Sequence, residues 1–199
     1  MNRARKIIFW TVGVVVTAFV ILVIARIPNA IDKRRTDGAV AKIRATKLTL
    51  DDVMGKSLPL APSDPDSSVQ GLDSNHNGIR DDVELAIFAA YPNSARTRAV
   101  LLQYALALQL EMTQPVVNME TVTAVAGMGD RALNCMRNNT SRDGVSLNEY
   151  MELLHDKQNF VKSRQTNTDE RDKYQRDFYE KLGSYSSPQD GCDLDISKL

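Results

Sequence analysis

Nineteen consecutive residues from Ile7 to Ala25 carry no charge, and all but Thr11, Gly13 and Thr17 are apolar. In hydrocarbon a backbone must satisfy its own hydrogen bonds, so a single run of this kind can settle only as a helix. At 1.5 Å rise per residue it is long enough to cross a layer of about 30 Å. The expectation is a short basic tail over residues 1–6 and a transmembrane anchor over 7–25. A cleavable signal has an apolar core of about 7–15 residues before a small-x-small site, and the best such site here, Pro28-Asn29-Ala30, is poor. The anchor is therefore read as retained.

Direction is argued from flanking charge and size. Arg3, Arg5 and Lys6 precede the run, and Arg26, Lys33, Arg34 and Arg35 follow it, so counting cations leans toward a C-terminal part in the cytoplasm. Long domains cross largely regardless of flanking charge. The reading adopted puts the C-terminal domain outside the cytoplasm, in a single-pass protein of a bacterial inner membrane with a periplasmic domain. A domain facing the cytoplasm is the alternative.

Beyond the anchor and a connector, about 140 of the 199 residues remain, the size of one domain. Lys and Arg number 25 and so do Asp and Glu, so there is no field of one sign to gather nucleic acid. The two cysteines, Cys135 and Cys192, form no Cys-x-x-Cys pair. Either they pair in an oxidising compartment and tie the C-terminal tail to a central helix, or they remain buried thiols.

Residues 26–70 read as a juxtamembrane connector, with alternation over Val40–Leu50 that suits a short strand or extended stalk. Pro59, Pro62 and Pro65 make Lys56–Ser68 a loop. Residues 71–199 read as a helical domain. Apolar positions at helical spacing mark Val83–Ala90. Ala95–Met112 is apolar nearly all round and belongs at the centre of a bundle. A third helix runs from Pro115 to about Met136, weakened at Gly127 and Gly129 by about 1 kcal/mol each unless they mark close packing or a break. Ser146-Leu-Asn-Glu149 is a capping box opening a fourth, and Tyr174, Phe178 and Leu182 give the docking stripe of a last. Gln165–Arg171 reads as loop or exposed surface. The fold class is mainly α: a transmembrane helix followed by a small helical bundle.

The bundle opens with Asp73-Ser-Asn75-His-Asn77-Gly78-Ile79-Arg-Asp81-Asp-Val-Glu84, which meets every fixed position of the calcium loop D-x-[DN]-x-[DN]-G-x5-E. Ca²⁺ takes six to eight oxygens at flexible geometry, and side chains at alternate positions of a tight loop converge on one point. Asp73, Asn75 and Asn77 are the side-chain ligands, Ile79 offers its carbonyl, Asp81 acts through a water, and Glu84 offers a bidentate carboxylate. Two amides in place of carboxylates lower the charge, and the expected Kd is on the order of 10⁻⁴–10⁻³ M. The loop resembles that of EF-hands. Lacking an entering helix, it is more similar to the loop-then-helix units of dockerin-like and thrombospondin type 3-like modules. An EF-hand usually has an aliphatic residue at position eight, where Arg80 stands here, so the resemblance covers the loop and not a paired EF-hand fold. The wider string from Gly71 to Glu84, with its helix and Tyr91-Pro92, resembles segments of uncharacterised bacterial exported proteins. Without metal, the same residues would form an Asx-rich turn capping a helix.

Catalytic patterns are sparse. No nucleophile elbow, phosphate loop, dinucleotide fingerprint or His-Glu-x-x-His occurs. Glu152 and His155 share a helix face, but a di-metal site of that type needs the pair twice and two further glutamates. The chain is read as a membrane-anchored calcium-binding module with a binding or scaffolding role, an envelope protein as its partner, and no catalytic residues assigned. An envelope hydrolase with structural calcium is the alternative.

Overall fold

The structure is a computed structural model that describes residues 3–188 and 190–199, with backbone only for residues 4–8. Its elements in chain order are α1 (Arg3–Ala45), α2 (Leu50–Met54), α3 (Asp81–Ala90), α4 (Ala95–Thr113), α5 (Met119–Asn138), α6 (Leu147–Gln165), α7 (Asp169–Tyr179) and a closing 3₁₀ turn, Ile196–Lys198. No strand occurs among the described residues, so the mainly α class holds. The chain divides into two compact units, residues 1–38 and 39–199.

In the first unit α1 carries the apolar run. The stretch has a mean hydropathy of 2.3 and is long and apolar enough to cross a membrane. Phe9 and Trp10 are both more than 70% exposed, and every large apolar side chain from Val12 to Ile24 stays uncovered. In water such a continuous patch would drive aggregation, whereas lipid is its natural solvent. The side chains of Arg5, Lys6 and Ile7 lie outside the described set. The helix continues through Pro28 without ending there.

The second unit is built around α4. Every residue from Arg98 to Met112 is buried, as a helix apolar all round requires, and α2, α3, α5, α6 and α7 all pack against it. Burial of each Leu or Val there contributes roughly 1.5–3 kcal/mol. Ser94 accepts the Thr97 amide at the start of α4, and Asn118 caps α5, three residues beyond the Pro115 start expected. The capping box of α6 forms as expected, with Ser146 and Glu149 bonding each other's amides.

One expectation changes, and two readings left open are decided. The alternating stretch after residue 39 is neither strand nor extended stalk: α1 runs to Ala45, Ile43 and Val53 are fully buried, and Thr49 and Asp52 form a capping box on α2. Gly127 and Gly129 do not break α5. Gly127 marks close packing, the other reading: the C-terminal tail crosses the helix there, where an added Cβ would stand 3.4 Å from Pro188. Gln165–Arg171 holds the turn between α6 and α7, as the loop reading has it, with Asn167, Asp169 and Glu170 exposed and only its ends, Gln165 and Arg171, fully buried. The two cysteines are joined, Cys135 of α5 to Cys192 of the tail. Arg131 extends that tie by pairing with Asp190 at 2.7 Å and with buried Asp193 at 3.0 Å.

Candidate functional site

The loop from Asp73 to Glu84 folds back on Asp73. Its carboxylate accepts the amides of Asn77 at 3.1 Å and Gly78 at 3.0 Å. Asn77 Oδ1 accepts the Ile79 amide at 2.9 Å. His76 and Gly78 turn the chain with φ of 59° and 84°. At Gly78 a side chain would also strike Leu106 of α4 at 2.8 Å, so glycine is required twice over. Closing the ring, the Asp81 amide donates to the Leu72 carbonyl at 2.8 Å.

Glu84 lies in the first turn of α3 and is 1% exposed. Asn75 Nδ2 and Asn77 Nδ2 each donate to one of its carboxylate oxygens at 3.0 Å. Burial dominates these bonds and pushes the carboxyl up to about 7. Asp73 is raised for the same reason. Among the described residues no lysine, arginine or histidine pairs with Glu84. Asp73, Asn75, Asn77 and Glu84 thus form one hydrogen-bonded set, with a desolvated carboxylate that has no countercharge.

The donor chemistry suits a hard cation, being wholly oxygen once each Asn amide is turned by half a rotation to present its carbonyl. No three histidine, cysteine or carboxylate side chains gather into a metal cluster among the described residues. A loop that relies on amide and backbone oxygens has no need of three. Asp81 is arranged differently from its expected role. It is fully buried, and its carboxylate accepts the Ser74 amide at 3.0 Å and the Ser74 hydroxyl at 2.8 Å. It braces the loop from within.

No family model, curated protein or solved structure matches this chain.

The departure at position eight has a structural reason. Ile79 is buried in the core, while Arg80 reaches the C-terminal end of α6. Its guanidinium donates to the carbonyls of Arg164 at 2.5 Å and Gln165 at 3.3 Å and forks onto Asp82 at 2.5 and 2.8 Å. The orphan carbonyls of a helix end are met by a cation from the loop. Arg171 does the converse. From α7 it donates to the carbonyls of Pro65, Ser68 and Val69 and to Asp66. The proline-rich segment is thereby fixed in front of the loop.

Sequence reasoning missed both arginines, because a charged residue gives no local sign of burial when its partners lie about a hundred positions away. Glu152 and His155 are exposed on α6 and meet no second carboxylate pair. The Asn139–Ser146 stretch is a turn leading into the capping box.

Proposed function

We propose that this chain is a membrane-anchored module whose loop 73–84 binds Ca²⁺ and whose helical domain acts as a binding or scaffolding element at the cell envelope. The observation that carries the reading is Glu84, a buried carboxylate with no cationic partner, facing two asparagine amides in a loop closed on Asp73. Such a group is stabilised by a cation and costs several kcal/mol without one. With Ca²⁺ bound, Asp73, Asn75, Asn77, the Ile79 carbonyl and Glu84 would hold the ion, and Asp81 would keep Ser74 and the loop entrance in place. The ion's charge would then fasten the start of α3 to the loop.

The disulfide supports a domain outside the cytoplasm, since such bonds persist in oxidising compartments. A bacterial inner membrane with the domain in the periplasm is the location we infer.

The deciding experiment is the thermal unfolding of the full chain in detergent across a Ca²⁺ titration, with Mg²⁺ and EDTA as controls. Stabilisation follows RT ln(1 + [Ca²⁺]/Kd), so a Kd on the order of 10⁻⁴–10⁻³ M gives a rise that grows through the millimolar range. Glu84→Gln should remove that rise. An equal rise in the variant, or the same rise with Mg²⁺, would overturn the assignment. Accessibility of a cysteine introduced at exposed Asp143 tests the side of the membrane: labelling from the cytoplasm would overturn the periplasmic location.

A further inference from the structure

The 25 cations and 25 acids are not spread evenly along the chain. From Arg26 to Lys47 there are seven Lys and Arg against two acids, whereas from Leu48 onward acids outnumber cations 23 to 15. The positive excess thus begins directly after the apolar run. In the first unit it consists of Arg26, Lys33, Arg34 and Arg35, all exposed on α1.

Two features of these cations are unexplained by folding. None forms an ion pair among the described residues, although Asp37 stands four positions after Lys33 and Asp32 three before Arg35, spacings at which helix pairs form. The buried arginines of the second unit are treated otherwise: Arg80, Arg131 and Arg171 each meet a carboxylate. Height is the second feature. Because α1 continues through Pro28, residue number sets distance along its axis. At 1.5 Å per residue, Arg26 stands at the edge of the hydrocarbon and Lys33–Arg35 about 12–15 Å beyond Ala25. Headgroups add about 5–8 Å on each side of the hydrocarbon, and long Lys and Arg stems reach back toward them. Ile27 and Ile31, 48% and 45% exposed, fill the interval with apolar surface suited to the acyl boundary. At about 100° per residue, Lys33, Arg34 and Arg35 fan over about 200° of the helix, with Arg26 in line with Lys33 about two turns below. A helix lying on a membrane keeps its cations on one face. A fan suits a helix that passes upright through the headgroups.

We propose that Arg26, Lys33, Arg34 and Arg35 form a collar that binds anionic phospholipid headgroups of the leaflet from which α1 emerges. Charge complementarity at the right height carries the choice of partner. A Lys or Arg close to an anionic surface strengthens attraction about fivefold, and the effect fades within a Debye length, about 8 Å in physiological salt. Lys42 and Arg44, also on α1, lie about 25–29 Å beyond Ala25 and fall outside that range. The acid excess after Leu48 gives the rest of the chain no such attraction. A lipid partner also accounts for cations that the flanking-charge count places against export. The inference rests on the reading of α1 as a membrane anchor; it is independent of loop 73–84 and of the side on which the domain lies.

The test reconstitutes the full chain in phosphatidylcholine vesicles with trace spin-labelled phosphatidylglycerol or spin-labelled phosphatidylcholine, and reads the motionally restricted fraction of each label by electron paramagnetic resonance. The anionic label should be preferred about twofold or more at low salt, and the preference should fall in about 1 M NaCl. Lys33→Gln, Arg34→Gln and Arg35→Gln together should remove at least about half of the preference, the remainder belonging to the basic tail over residues 1–6. Lys42→Gln with Arg44→Gln should leave it unchanged. Equal restriction of the two labels overturns the proposal, as does an unchanged preference in the triple variant or an equal loss in the Lys42 and Arg44 variant. Restriction of neither label overturns it together with the anchor reading. Crosslinking between copies identifies the competing occupant: if the triple variant loses crosslinks while keeping its lipid preference, the cations serve the acidic region of a second copy and the proposal falls.

Discussion

Arg80 shows how one residue is read differently by sequence and by structure. At position eight of a calcium loop it is an anomaly; in the fold it is the cap of α6, fully buried and forked onto Asp82. Removing one member of such a set leaves the other uncompensated, so Arg80→Met should lower stability by about 2–4 kcal/mol in urea unfolding. Glu111 makes a prediction of the opposite kind. Burial, outweighing its bonds to Tyr179 and Gln175, holds its carboxyl above the ordinary value of 4.5. A carboxyl raised on folding contributes stability that is fully present below its unfolded pKa and is lost as pH rises through the folded one. Denaturation midpoints should therefore fall as pH climbs above 4.5 toward that raised value. Glu111→Gln should flatten this slope, and an unchanged slope would refute the assignment.

At the scale of elements, α3 to α7 were legible because their determinants are local. Periodic apolar residues, the Ser94 cap and the Ser146–Glu149 box act within a turn or two of the chain. The long apolar helix was legible for the same reason, the length and composition of its run being local to it. The stretch after residue 39 was not, because its alternation mimics a strand and only packing against α4 makes Ile43 and Val53 core residues. Nor was the burial of Glu111, since it sits in a helix whose other residues are core and its partners Gln175 and Tyr179 lie on α7. For the loop, the fixed positions were legible, and what escaped was that Asp81 turns inward to Ser74. The box of α6 gives a modest test: Ser146→Ala should cost about 1 kcal/mol. Arg171→Lys is a sharper one. An ammonium cannot reproduce a fork that spans Pro65, Asp66, Ser68 and Val69. Limited proteolysis should then cut the 65–69 segment faster than in the parent protein.

For the whole molecule, the disulfide closes a sequence separation of 57 residues. In the chain-entropy account, reduction should lower stability by about 4 kcal/mol, measurable as a lower melting temperature in reductant. The long-range clamps carry a kinetic implication as well. Arg80 waits for the carbonyl of a residue 84 positions later, and Asp66 waits for an arginine 105 positions later. Chains are made from the N-terminus at roughly 5–20 residues per second, so Asp66 and Arg80 wait about 5–20 s for these late partners. During that interval the acidic stretch from Asp66 to Glu84 is open to proteases and holding chaperones. The last helices to be synthesised decide when the segment before loop 73–84 is fixed in place.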